Sequence, residues 1–133
     1  MMSFLYTLHS HFRWVVVLML VVTLVKLGMT WARGGSFSGA DRGLTSATIG
    51  LIDLQALMGI ILLIGLDVGM PRYQIEHGAT MVLALVAAHM TAKWKKEQGP
   101  GRARKTFIAL VIAAPLIFVG VMRLPGGWSR GLE

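Results

Sequence analysis

The chain has 133 residues, of which 55% are hydrophobic and 14% are charged, and it contains no cysteine. A typical soluble domain is about 45–50% apolar and about 25% charged, so this composition indicates a membrane protein rather than a soluble one. The absence of cysteine excludes disulfides, thiolate metal sites and the covalent attachment of a c-type haem.

Four apolar segments follow one another along the chain, and each is close to the roughly 20 residues that cross a bilayer. We therefore predict an all-α fold, a bundle of four transmembrane helices that forms a single membrane domain over residues 1–133. The helices are expected at about 4–32, 43–66, 72–95 and 105–123. The lipid bilayer is thus the first predicted partner of this chain.

The basic residues are concentrated in one connection and predict the orientation of the chain. Six of the 13 lie around the third connection, namely Lys93, Lys95, Lys96, Arg102, Arg104 and Lys105. Short loops rich in lysine and arginine stay in the cytoplasm, so both termini are expected on the external, periplasmic side of a bacterial inner membrane. This topology signal explains the net charge of +7 without a nucleic-acid partner.

The first helix begins with a polar stretch that contains two histidines. His9 and His11 are two residues apart and point about 200° apart on a helix, so only one of them can face a site. Arg13 lies one turn after His9 on the same face, which favours His9 as the inward residue and His11 as the one at the polar rim. A frayed helix start would change these directions, so the choice stays open.

Three ionisable residues lie within the apolar segments on the cytoplasmic half: Lys26, Asp53 and His89. Charged groups at this depth need partners, and we predict one inner polar cluster with a Lys26–Asp53 pair as its core. The cluster has two interpretations. It is either an ion pair that fixes the order of the helices or a site that carries protons or faces a quinone.

The third helix opens with Arg72, Glu76 and His77, and Met81 follows one turn later. A histidine beside a carboxylate at the mouth of a membrane helix is costly to desolvate, which indicates a partner or a ligand. In an alternating bundle the first and third helices begin on the same side, so His77 is expected at the same depth as His9.

Two imidazoles on facing helices can hold a b-type haem without covalent attachment. We predict His9 and His77 as the axial ligands of the haem iron, with Glu76 and Met81 beside them. Haem propionates need cations at the wet end of the site, and three arginines are available for them: Arg13, Arg72 and Arg123. No hydrolase, kinase or dehydrogenase motif occurs in the chain, so enzymatic activity is left undecided.

Several short motifs resemble those of small four-helix bacterial integral membrane proteins that are described as cytochrome b-like. They are His9-Ser10-His11-Phe12-Arg13-Trp14, Asp41-Arg42-Gly43-Leu44-Thr45, Gln55 with Gly59, Arg72-Tyr73 and Glu76-His77. The resemblance covers nearly the whole chain and implies a four-helix membrane fold with a haem. Many members carry a histidine in helix 2 where this chain has Asp53, which places the expected ligands on His9 and His77.

Two functions are therefore expected. The first is a membrane b-type cytochrome that exchanges electrons with a quinol or with a larger respiratory or photosynthetic complex. The second is a haem-free accessory or structural subunit of such a complex, in which the same polar residues set the packing of the helices.

Overall fold

The computed structural model describes residues 1–67 and 69–131, and this part of the chain is helical without any strand. The long helices are α1 (Met2–Ala32), α2 (Gly39–Gly65), α3 (Arg72–His89) and α4 (Pro100–Met122). Short 3-10 segments follow α3 at Met90–Trp94 and α4 at Gly127–Ser129. With the segment after α3 included, all four helices are long and apolar enough to span a membrane, which confirms the predicted fold class.

Helices α2 and α4 begin about one turn earlier than predicted, and in each the first residues suit a helix N-terminus. Helix α2 starts at Gly39, where Asp41 N donates to Ser38 Oγ at 3.2 Å and Ser38 N donates to Asp41 Oδ2 at 2.8 Å. This reciprocal capping box satisfies two backbone donors that would otherwise lack partners. Helix α4 starts with Pro100, which suits the first turn because its missing N–H is not needed there.

The four helices form an antiparallel bundle with two distinct ends. At one end Phe37 N donates to Gln98 O at 3.1 Å, so the connections 33–38 and 95–99 meet there beside most of the basic residues. We call this the basic end, and the opposite end, which holds the starts of α1 and α3, the terminal end. Helix α1 packs on α2 and α4, α3 packs on α4, and the α2–α3 side is packed most sparsely.

Small side chains fill the interface between α3 and α4. Ala84 and Ala88 of α3 and Ala113 and Gly120 of α4 are buried there. In a bilayer, where burial of apolar surface drives little helix association, small residues allow backbones to approach and gain van der Waals contact. Many large apolar side chains elsewhere on the helices are exposed, as contact with lipid requires.

An ion pair between a buried aspartate and a partly exposed lysine joins α1 to the start of α2. Asp41 is 0% exposed, and its Oδ1 lies 2.8 Å from Lys26 Nζ, while Thr30 Oγ1 donates to the same carboxylate at 3.0 Å. The prediction that Lys26 pairs with Asp53 was therefore wrong, and the partner of Lys26 is Asp41. The early start of α2 places Asp41 opposite Lys26, whereas Asp53 lies three turns farther along α2 and is paired with His89.

We expect Asp41→Ala to lower the free energy of unfolding by about 3 kcal/mol, because it leaves Lys26 without its anion and removes the cap of α2. Denaturant unfolding of the detergent-solubilised protein, followed by circular dichroism, measures this change. Asp67→Ala removes an exposed acid and is the matched control, with little expected effect. Adding Lys26→Met to Asp41→Ala should restore part of the loss, and equal stability of the two aspartate variants would contradict a structural role for the pair.

Candidate functional site

The structure brings His9 of α1 and His77 of α3 together at the terminal end. By helical rise they lie about 11 Å and about 8 Å from the starts of their helices. Both side chains are half-buried. His11 instead lies on the surface, where its Nδ1 is 2.8 Å from Thr7 O. Of the two candidate histidines in α1, His9 is thus the inward one.

His77 is fixed by a hydrogen bond to the backbone of α4. Its Nδ1 lies 2.8 Å from Gly120 O, and since a carbonyl only accepts, Nδ1 must carry the hydrogen. This carbonyl lies where α4 ends, and Leu124 N donates to Val121 O instead of continuing the helical pattern. In the neutral ring Nε2 then keeps its lone pair, and it has no hydrogen-bond partner within residues 1–67 and 69–131.

His9 packs against a glycine of α2. A Cβ atom added at Gly59 would lie 3.2 Å from His9 Cε1, so the absence of a side chain makes room for the ring. One turn away, Gln55 Nε2 donates to the backbone oxygen of His9 at 2.9 Å. In the part of the chain that the structure describes, His9 Nδ1 and Gln55 Oε1 are buried without a hydrogen-bond partner. Such groups cost about 1–3 kcal/mol each, which marks this spot for a ligand or a bound water.

Arg13 connects the start of α1 to the segment after α4. Its buried guanidinium donates from Nη2 to Trp128 O at 2.5 Å and to Arg130 O at 2.8 Å. The Trp128 ring also packs on Trp14 with the ring centroids 5.3 Å apart. Because Arg13 acts electrostatically on both His9 and His77, its positive charge belongs to the same site as the two imidazoles.

The remaining predicted residues lie farther from the imidazoles or are already paired. Arg72 is 92% exposed and forms an ion pair with Glu76 at 2.9 Å. Arg123 is exposed and has no ion pair or side-chain hydrogen bond to another described residue. Met81 is partly buried beside Gly120, where an added Cβ would lie 2.6 Å from its Cε, one turn below His77.

One arginine of the site was missed from the sequence. Arg130 acts electrostatically on His77, and its guanidinium carbon lies 5.7 Å from the ring centroid of Tyr73. It reaches this place because the 3-10 segment at Gly127–Ser129 folds back over the terminal end. The sequence signal for that reversal is Pro125-Gly126-Gly127, and both glycines adopt a positive φ in the structure.

The predicted inner cluster is divided into two separate pairs. Asp53 Oδ1 lies 2.6 Å from His89 Nε2, and these side chains are 46% and 50% exposed. Lys26 is not part of this group, since it is paired with Asp41. Among the described residues no group of three or more histidine or acidic side chains is arranged to hold a bare metal ion.

Comparison of the chain with protein-family models, with curated proteins and with solved structures gives no match. The resemblance to cytochrome b-like membrane proteins therefore stays a prediction, and the function has to be argued from the site itself.

Two glycines of α2 give a direct test of the packing around His9. Gly50→Ala should raise the free energy of unfolding by about 0.5–1 kcal/mol, because no atom lies within 4 Å of the added Cβ and alanine favours helix. Gly59→Ala should not show this gain, because its Cβ must displace the half-buried imidazole. Urea unfolding of both variants in detergent measures the difference, and equal gains would show that the His9 ring is not held against α2.

Proposed function

We propose that the terminal end binds a b-type haem between His9 and His77 and that the protein carries electrons in the membrane. The observation that carries this proposal is the placement of two half-buried imidazoles, from α1 and α3, at similar depth at the same end of the bundle. When bound, the haem iron supplies one-electron transfer.

The donor atoms suit haem ligation. Ligating histidines usually donate their second ring N–H to a carbonyl or carboxylate, which fixes the tautomer and the ring orientation. His77 already has this arrangement, since Nδ1 is bonded to Gly120 O and Nε2 is left for a ligand. His9 has a buried Nδ1 with no partner among the described residues, so its ring also has bonding capacity that the protein does not use.

The local charge also suits an anionic cofactor. Arg13 and Arg130 act on His77, and Arg123 is exposed at the same end of the bundle. Arg13 is engaged with two carbonyl groups, so its contribution to the propionates would be its charge rather than all of its hydrogen bonds. Arg72 and Glu76 neutralise each other and are left outside the proposed site. The two described cavities border neither imidazole, so the support for haem comes from donor atoms and charge.

An electron carrier in this position needs a membrane-bound partner. We include a quinol or a larger respiratory or photosynthetic complex of the bacterial inner membrane as that partner, because the lipid-facing sides of the helices are available to both. The site residues in this proposal are His9, His77, Arg13, Arg123, Arg130 and Met81.

The visible spectrum of the purified protein tests this function. We expect a reduced-minus-oxidised α-band of the b type in the wild-type protein and its loss in His77→Ala and His9→Ala, because each variant removes one axial nitrogen. His11→Ala and His89→Ala are the matched controls, since the first lies on the surface and the second belongs to the basic half, and both should keep the band.

Two results would count against the cytochrome. One is a folded wild-type protein without the band after expression in cells that supply haem. The other is a band that survives in the His9→Ala and His77→Ala double variant, which would place the haem elsewhere.

A specific observation supports the alternative, a haem-free accessory subunit. Several polar groups at or beside the two histidines already hold the helices together. Arg13 ties α1 to the segment after α4, Gln55 ties α2 to α1, and His77 ties α3 to α4. Such bonds would fix the shape that a subunit presents to its neighbours in a larger complex.

The variant Arg13→Gln tests whether Arg13 stabilises the helix packing when no haem is bound. We expect the free energy of unfolding of haem-free protein to fall by about 2 kcal/mol, since the charged donors to Trp128 O and Arg130 O are lost. Trypsin should also cut faster after Arg123 as the following segment detaches, which intact mass spectrometry detects. Arg72→Gln, at an exposed arginine of the same end, is the control. Unchanged stability and cleavage would mean that Arg13 is not needed for packing.

A further inference from the structure

A cavity of about 390 Å³, with both polar and apolar side chains in its wall, lies at the basic end, away from the histidine pair. It is bordered by α2, by the start of α4 and by the residues around the end of α3, on the sparsely packed α2–α3 side. Along α2 its wall runs from Thr45 to Asp53, about 12 Å by helical rise. It therefore extends from the basic end into the apolar part of the bundle.

Two residues that line this cavity carry a buried hydrogen-bond donor without a partner in the described part of the chain. Thr45 is only 8% exposed, yet its Oγ1 is buried without a hydrogen bond to the described residues. The Nε atom of Arg102 is also buried without a hydrogen bond to the described residues, although Nη1 of the same side chain donates to Glu97 O at 3.2 Å. Buried donors of this kind are costly, so a ligand that brings acceptor oxygens to both would be favoured.

The outer part of the cavity has excess positive charge. The guanidinium of Arg102 lies 4.0 Å from the ring centroid of Phe37, and Arg42 is within electrostatic range of it. The nearby carboxylate of Glu97 is held by Lys105 at 2.8 Å. Lys95 adds a further cation to the wall.

The acidic group of the cavity wall lies at its inner end. Asp53 is paired there with His89, about two turns along α2 from Thr45 in the cavity's outer part. An anion near Arg102 and Thr45 is therefore separated from this carboxylate by the length of the wall.

We propose that this cavity binds the phosphate group of an anionic membrane phospholipid. Phosphate oxygens accept hydrogen bonds from both Thr45 and Arg102, and the charge is matched by Arg102 and Lys95. The position at the basic end of membrane-spanning helices suits a molecule with its charge at the surface and its chains in lipid. A neutral quinone headgroup would leave the two cations unmatched. The proposal is independent of whether haem binds at the other end.

Native mass spectrometry of the detergent-solubilised chain tests this site. Phosphatidylglycerol is titrated as the anionic lipid and phosphatidylcholine as the zwitterionic one, and the fraction of protein with one bound lipid is measured. We expect tighter binding of phosphatidylglycerol, a roughly tenfold loss of affinity in Arg102→Gln and a roughly threefold loss in Thr45→Val. Thr45→Val keeps the side-chain shape, so it separates the lost hydroxyl from a general loss of structure.

Arg104→Gln is the matched control, because Arg104 is an exposed arginine two residues farther along α4 that does not border the cavity. Binding should be unchanged in this variant. Equal losses in the Arg102 and Arg104 variants would show non-specific attraction and overturn the site. Equal binding of both lipids would do the same. Displacement of phosphatidylglycerol by millimolar inorganic phosphate would assign the cavity to free phosphate and overturn the lipid as its source.

Discussion

Hydrocarbon offers no hydrogen bonds, and this constraint decides where polar side chains can lie in the four helices. Asp41 is buried because Lys26 and Thr30 surround it, and Thr23 and Thr48 share a hydrogen bond of 2.6 Å across α1 and α2. Because most buried polar side chains are paired in this way, the buried nitrogen and oxygen atoms without a hydrogen-bond partner stand out. Within residues 1–67 and 69–131 they include His9 Nδ1 and Gln55 Oε1 at the terminal end and Thr45 Oγ1 and Arg102 Nε at the basic end.

The four-helix architecture could be predicted because it depends on one property, the length of apolar segments relative to a bilayer. The helix starts were less predictable. The start of α2 depends on the reciprocal bonds of Ser38 and Asp41, and a capping residue is recognised only when its partner three residues on is considered with it. That shift of about one turn changed the partner of Lys26. Pairing between helices depends on their relative rotation and register, which composition does not contain.

The candidate site was predictable in part for a similar reason. Helical periodicity separates His9 from His11, and the alternating direction of the helices puts His9 at the level of His77. The bonds from Arg13 to the backbone oxygens of Trp128 and Arg130 could not be predicted, because every residue has a carbonyl and only the fold-back of the chain selects these two. For the same reason Gly120 O could not be predicted as the partner of His77.

The chain forms two helical hairpins, α1 with α2 and α3 with α4, and the distance between the two imidazoles depends on how these hairpins pack together. His9 is held by α2 through Gly59 and Gln55, whereas His77 is held by α4 through Gly120, so each ring moves with its own hairpin. At the terminal end Arg13 joins the hairpins on the α1–α4 side. On the opposite side α2 and α3 pack least closely. A planar group between the rings would therefore separate these two helices with the smallest loss of packing energy. The cavity at the basic end also lies on this α2–α3 side.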